Sequence, residues 1–388
     1  MNPRAGLDVA VLGGGPIGLA CALLLARAGL RPVVYDARLP AAAQNDRRLL
    51  ALSRGSWQTL APLLGGRLPP RAPIVDVHVS SAGEFGTTVL RAEEIDAHSG
   101  EPLGATVYYG DLHAALNDAA QAEPGMRLER PVHVRQIRQV GDGVELDIDH
   151  GDGTHAVQRV AVAIHAEGSP PATADTPTAW ALLADLQLRG TPAGMAFERF
   201  TREGPLALLP APAGAGDGPA WSLVWCMDEA QARRRAALDS NSLREALQQA
   251  VGPRIAEVAS LSPARALPLP QIVRERVADG RLAWIGNAAQ TLHPVAGQGM
   301  NLGLRDARTL VDCLTERADD PLQALAQFAV RRSGDRALIA QITRWMPPAF
   351  ATRALPAALL RSAGLTAMNL APPLRHAWAR LLMFGVRS

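Results

Sequence analysis

The chain has 388 residues, enough for one large domain or two intimately joined ones with a sizeable core. It contains no lysine, so all 39 basic residues are arginine; against 37 acids they leave a formal charge of +2, which removes any general case for nucleic acid as a partner, since that needs a concentrated basic face. Cys21, Cys226 and Cys313 are odd in number and scattered without metal-ligand spacing, which argues against a disulfide framework or a metal site and for a reducing compartment.

Residues 8–12 read as a buried parallel strand, 16–28 as an alanine- and leucine-rich helix, and 32–35 as a second strand ending at Asp36. Two parallel strands need this helical crossover, and proline at the helix start loses nothing because that amide has no intrahelical partner. A strand beginning by residue 8 is expected to leave no room for a signal peptide, and no apolar run reaches the roughly 18 residues a bilayer span needs, so a cytoplasmic, non-spanning protein is expected. Residues 104–121 look like a strand leading into a helix. Residues 126–148 alternate as paired strands, with turns at Gly141-Asp-Gly143 and Gly151-Asp-Gly153, and 156–166 returns as one buried strand. From 191 to 228 the pattern is extended and suits a separate antiparallel sheet. Helix dominates 229–251, 281–285 is a strand rejoining the first layer, and the remainder is helical with proline breaks. Pro- and Gly-rich linkers fall at 169–177 and 210–219, and no internal repeat is visible.

In Gly13-Gly14-Gly15-Pro16-Ile17-Gly18 the first glycine of the G-x-G-x-x-G pattern permits a tight turn, the second lets backbone amides approach a pyrophosphate, and the third lets helix and strand pack closely. The helix N-terminus then faces the anion, and Asp36 at the next strand end is placed to accept ribose hydroxyls. This loop alone does not distinguish FAD from NAD. Far along the chain, a strand ends at Gly286-Asn287, where a polar side chain can reach a ribityl or ribose hydroxyl, and Gly297-Gln298-Gly299-Met300-Asn301 opens a helix whose free amides can stabilise negative charge; Pro294 stiffens the approach. Two such loops at opposite ends of the sequence suggest one long, two-ended cofactor, and a flavin dinucleotide suits.

The run His293-Pro-Val-Ala-Gly-Gln-Gly-Met-Asn-Leu-Gly-Leu-Arg-Asp306 resembles the class A FAD-dependent monooxygenases, in particular their ubiquinone-biosynthesis hydroxylase branch with the 2-polyprenyl-6-methoxyphenol hydroxylases. Asp46-Arg-Arg48-Leu-Leu-Ala-Leu-Ser53, Phe197-Glu-Arg-Phe-Thr-Arg-Glu-Gly-Pro-Leu-Ala-Leu-Leu-Pro210 and Ser222-Leu-Val-Trp225 extend the resemblance over most of the chain. It implies an α/β fold: a discontinuous, Rossmann-like FAD-binding domain of the glutathione-reductase type (1–75, 101–168, 270–335), an inserted antiparallel-sheet substrate domain (76–100, 169–269) and a helical C-terminal region (336–388). It implies cofactor contacts at the glycine-loop residues already named, at Asp36, Ala37, Arg38, Arg48, Val134, Glu167 and Gly168, and at Gly286, Asn287, Pro294, Gly297, Gln298, Gly299, Met300 and Asn301, with Arg48 over the flavin and its phosphates. One departure stands out: the family usually has Asp-Gly and a serine followed shortly by arginine, whereas this chain has Ala166-Glu167-Gly168-Ser169 and no arginine before Arg189.

The activity implied is reduction of FAD by NADPH or NADH bound transiently, reaction with molecular oxygen to a C4a-hydroperoxyflavin, and hydroxylation of a polyprenylated phenol in ubiquinone biosynthesis. A hydroxylase of a small soluble aromatic, or a flavin-binding but weakly active subunit of a biosynthetic complex, are the alternatives. His293 is the titratable group nearest the presumed flavin edge and can relay the phenol proton or merely fix the loop; His113 and His165 read as structural. The tail from 341 carries Arg344, Arg353, Arg361, Arg375, Arg380 and Arg387 among apolar residues and no acid, which suits a peripheral membrane or partner contact through which a lipophilic substrate arrives, or a plain helical cap. With aromatics at 4%, a prenyl pocket is expected to be lined by Leu, Ala and Met.

Overall fold

β1 (Asp8–Leu12) sends Val9 and Val11 to one covered face and Ala10 and Leu12 to another, which is why its sequence is apolar throughout rather than alternating. The structure is a computed structural model that describes residues 7–84, 86–96, 99–168, 179–213, 220–252, 256–270, 272–291, 297–351 and 355–385, and the backbone alone at 272, 340, 342–351 and 355–361. α1 (Pro16–Arg27) crosses over the first face, and β2 (Arg31–Tyr35) pairs in parallel with β1, Val11 opposite Val34. The sheet runs Ala278–Asp279, Leu282–Trp284, Val162–His165, β1, β2, Arg127–Glu129, and only Ala278–Asp279 is antiparallel to its neighbour. α1, Tyr109–Ala122 and Gln298–Glu316 bury one face around Leu19, Leu112 and Leu310; the meander His133–Val140, Gly143–Asp149, His155–Val160 covers the other with Val144, Leu146 and Ile148.

A second layer is an eight-stranded sheet in the order Glu257–Leu261, Ala179–Arg189, Ala220–Met227, Pro205–Ala211, Met195–Phe200, Asp76–Ser81, Thr87–Arg91, with Arg265–Leu269 also on Ala179–Arg189. Its pairs are antiparallel except Asp76–Ser81 with Met195–Phe200. The outer face packs Phe197, Leu208, Trp221 and Trp225 against the helices Glu229–Ala236 and Ser240–Val251. The inner face meets the small sheet Leu49–Ser53, Gly104–Tyr108, Arg71–Ile74, which joins the two layers.

Three expectations change. The stretch 156–166 is two strands: His155–Val160 is the exposed edge of the meander, and the chain crosses at Ala161, whose N donates to Asp8 O at 2.9 Å, before Val162–His165 enters the parallel sheet. The polar His155-Ala-Val-Gln-Arg segment tolerates an edge, whereas Val162-Ala-Ile is apolar enough to be covered on both faces. Arg127–Glu129 belongs to the parallel sheet rather than to the hairpins. The helix over 229–251 is two, because Asp239 accepts from the amides of Asn241 and Ser242, both at 3.0 Å, and caps a new start.

In the tail, Arg375 is buried rather than presented to a surface: it donates to Glu94 Oε2 at 2.7 Å and to Asn369 O at 2.7 Å. Met383 and Phe384 lie on Gly55, so the last helix, Pro372–Phe384, is a packed cap. Arg380 is exposed; Arg387 and the side chains of Arg344, Arg353 and Arg361 lie outside what the structure describes. Among the described residues no helix is long and apolar enough to cross a membrane.

Candidate active site

Gly13 leaves β1 at φ +104°, its N donating to Tyr35 O at 2.8 Å, and a Cβ there would lie 2.7 Å from Glu167 N. An L side chain is strained in this region, so glycine is required. A Cβ at Gly18 would drive into Gly13 O, and one at Gly14 would lie 2.7 Å from Asp36 Oδ2. Gly15 is the N-cap of α1 with no side-chain cap, and Pro16 follows, so the first amides of the helix remain open to an anion.

Asp36, 8% exposed, accepts from Gly14 N at 2.8 Å and from Arg38 N at 2.9 Å; each carboxylate oxygen retains a lone pair for a hydroxyl. His113 Nε2 and Arg130 Nη2 both converge on Gly14 O, at 3.0 and 3.2 Å, and Arg130 Nη1 donates to Asn117 Oδ1 at 2.7 Å. Burial holds the His113 imidazole below its usual pKa. Arg48 lies 4.5 Å over the Tyr109 ring, whose hydroxyl stands 3.4 Å from where a Gly15 Cβ would be, and its Nε is bound to Asp46 at 2.9 Å. The cradle therefore has open amides, no side chain on its floor, and Arg38, Arg48 and Arg130 around it, which fits a pyrophosphate. Ala37 is exposed beside it. Val134 sits further along the meander, in register with Ile148, and the residue that bonds the loop is Val132, whose N donates to Asp36 O at 2.9 Å. Sequence reading assigns no role to Tyr109, Asn117 and Arg130, and His113, read there as structural, holds the loop carbonyl. Tyr109, His113 and Asn117 recur at helical spacing of four on one face, which is the signal that was available.

The distal loop reaches the same edge. Ile285 N donates to His165 O at 2.9 Å, and Gly286 at φ +60° rests on Ile17, its absent Cβ 3.2 Å from Ile17 Cγ2. A Cβ on Gly303 would lie 2.9 Å from Ile17 Cδ1 and 3.0 Å from Gly286 Cα, so glycine lets the helix Gln298–Glu316 cross α1 closely. Asn287 is exposed at this turn. Glu167 projects outward, its side chain 61% exposed and 3.8 Å from His165 Nδ1; His165 stacks on Trp284 at 5.1 Å, and Gly168 has open space around it.

Gly297, at φ +59°, begins the helix, and a Cβ on it would lie 3.0 Å from Ala51 Cβ. Gly299 in the first turn faces open space, Met300 packs on the main core, and Gln298 is buried, its Oε1 3.5 Å from Arg305 Nη2. Asn301 takes a different role from the ligand expected. Its Oδ1 accepts from Ser53 N at 2.8 Å and Ser56 Oγ at 2.7 Å, and its Nδ2 donates to Ala51 O at 3.0 Å and Gly297 O at 2.8 Å. Every donor and acceptor is used inside the protein, so Asn301 ties the turn to the strand Leu49–Ser53. His293 and Pro294 lie outside the described residues.

Behind this helix start is a buried ionic cluster. Asp306, 0% exposed, accepts from Arg332 Nε at 2.7 Å and Gln290 Nε2 at 2.8 Å; Arg332 also donates to Asp335 at 2.7 Å, and Arg305 donates to Leu382 O at 2.8 Å. It locks Gln298–Glu316 to Pro321–Ala351 and to the last helix. Above the turn, Ala51 and, from the roofing sheet, Val77 and Leu209 pack against one apolar cluster that includes Ala196. All three cysteines are buried and free, and among the described residues no cluster could hold a metal ion.

Residues 6–322 match the family described as FAD binding domain. Similar proteins include the ubiquinone hydroxylase UbiL of Rhodospirillum rubrum, 28% identical over 97% of this chain and 89% of that protein, and the 3-demethoxyubiquinol 3-hydroxylase of Escherichia coli, 28% identical over 95% and 96%. Among solved structures, PqsL of Pseudomonas aeruginosa in complex with 2-aminobenzoylacetate has a TM-score of 0.73 at 22% identity, covering 93% of this chain and 99% of that one. The p-nitrophenol 4-monooxygenase PnpA of Pseudomonas putida has a TM-score of 0.74 at 16% identity, covering 99% and 100%. At those identities the likeness is one of fold. The chain belongs to the FAD binding domain family and is an FAD-dependent aromatic hydroxylase, similar in sequence to hydroxylases named for ubiquinone biosynthesis.

Proposed function

We propose that this enzyme hydroxylates a polyprenylated phenol on the route to ubiquinone, using a nicotinamide nucleotide as a transient electron donor and molecular oxygen as co-substrate. The observation that carries the reading is the meeting of both glycine loops at one sheet edge, Gly286 against Ile17 of the first loop, beneath an apolar sheet face. The names of the relatives support the substrate class. The bound flavin supplies the redox chemistry, accepting electrons and activating oxygen.

The chain's own residues bind, orient and exclude water. Open amides of α1 hold the pyrophosphate, with Asp36 on the adjoining ribose. Asn301 holds the Gly297 turn rigidly against Ala51, so helix amides there keep a fixed aim at the ring system. The roofing sheet keeps water from the reacting face, which is what ties electron use to product. Peripheral contact of the tail with a membrane belongs to the same proposal: Leu370 and Leu374, 76% and 53% exposed on either side of the start of the last helix, support it, and sedimentation with anionic vesicles tests it.

The decisive assay loads the protein with FAD, supplies NADPH, oxygen and a short-chain prenylphenol, and follows both nucleotide oxidation and the hydroxylated product. Matched consumption and product are expected. Nucleotide oxidation yielding only hydrogen peroxide, or bound flavin with no turnover, counts against the reading and favours a subunit role.

A further inference from the structure

One transverse row of the roofing sheet differs from its surroundings. Val79, Glu198, Ala207, Val224 and Leu183 stand opposite one another across five strands, and all five keep accessible surface, whereas Phe197 and Leu208 on the outer face are buried. Alternation places this row on the same face as Ala196 and Leu209, which share one apolar cluster with Ala51 beside the Gly297 turn. The row thus faces the cofactor layer without being fully covered by it.

Its one polar member is Glu198. Among the described residues no hydrogen bond or ion pair reaches the carboxyl, although the residue is mostly covered by protein. Burial pushes its pKa up to about 8, so the group is largely protonated at neutral pH. Arg199 is committed to the outer face, donating to Ala250 O at 2.8 Å and Ser80 Oγ at 3.0 Å, and His78 packs on Phe197 there. On the inner face the titratable neighbours are Cys226, whose thiol is pushed up first by burial and then by Glu198, and Asp185 with Tyr108 beyond it. In the described part of Pro321–Ala351, Arg332, Asp335 and Arg336 are engaged around Asp306 and Gln290.

We infer that Glu198 is the specificity-determining polar group of the substrate compartment, donating a hydrogen bond to the ring oxygen of an uncharged phenol and disfavouring aromatics that carry a carboxylate. The inference rests on the proposed function and deepens it. A protonated carboxyl has a donor to offer an otherwise apolar site, and an unpaired donor there gains most from a ligand oxygen. A carboxylate beside it would face its desolvation with little help, since the described cation beyond this face, Arg47, is stacked on Tyr108 at 3.9 Å.

The test uses FAD-loaded protein and two probes, para-hexylphenol and para-hexylbenzoate, with binding read from the perturbed flavin absorbance between about pH 7 and about pH 9. Wild type is expected to prefer the phenol at least about tenfold and to lose affinity for it as Glu198 ionises; Glu198→Gln, which keeps a donor, is expected to hold the phenol to within about threefold, lose the pH dependence and bind the benzoate about tenfold better than wild type only near about pH 9, where the wild-type carboxyl is ionised. Glu198→Leu should weaken phenol binding about tenfold; if it does not fold, the Gln variant carries the test alone. Equal affinity of wild type for both probes, or an unchanged pH profile in Glu198→Gln, overturns the inference. Because the readout is binding, a wild type that shows these preferences without forming product would refute the proposed reaction and leave Glu198's role standing.

Discussion

Replacing Asn301 by alanine separates a scaffold from a ligand contact. The side chain is 2% exposed and makes four hydrogen bonds of 2.7–3.0 Å, so its removal strands Ser53 N, Ser56 Oγ and the Ala51 carbonyl in a largely dry site, while the Gly297 carbonyl keeps its helix bond. Each buried group left unpaired costs about 1–3 kcal/mol; with Ser56 Oγ able to turn to Ser53 Oγ and a water able to enter, a net loss of about 3 kcal/mol follows. For a chain of 388 residues that corresponds to a fall of about 3–5 °C in the unfolding midpoint. The assay is thermal unfolding by circular dichroism on flavin-free protein, followed by FAD titration. Both stability without flavin and affinity for it should fall, since the Gly297 turn loses its tie to Ala51. Asn301→Asp should be at least as damaging, because a carboxylate oxygen would then face two carbonyls. An unchanged midpoint without flavin, combined with weaker FAD binding, would refute the scaffold argument.

Two further outcomes follow from buried charge. Asp306→Ala leaves the 5%-exposed Arg332 without its main partner and should cost about 3–5 kcal/mol in chemical denaturation; a loss under about 1 kcal/mol would show that Asp335 suffices. Glu198 sets a pH dependence of stability: its folded pKa of about 8 lies above the ordinary 4.5, so between those values the folded state holds a proton that the unfolded state lacks, and stability falls as pH rises by up to about 1.4 kcal/mol per unit. Glu198→Gln should remove that slope, be the more stable protein at pH about 8, and approach wild type below about pH 4.5. Parallel stability curves for the two would contradict the burial of this acid.

The strand, glycine loop and helix at residues 8–27 were readable from the sequence alone because the demands there are local. Gly13 must take a positive φ and Gly18 must let the helix start pass Gly13 O, and both requirements fall within six consecutive positions. The strand at 282–284 and the roofing sheet were legible from apolar runs and alternation, although one buried strand over 156–166 proved to be two, a single residue apart. Folding alone decided that His113 and Arg130, 99 and 116 residues from Gly14, meet its carbonyl, that three of the four side-chain bonds of Asn301 go to residues some 250 positions away, and that Glu198 stands on the inner face. Glycine geometry and strand periodicity are written in neighbouring residues. Which buried polar group finds a partner, and which is left facing an open space, depends on how distant segments pack.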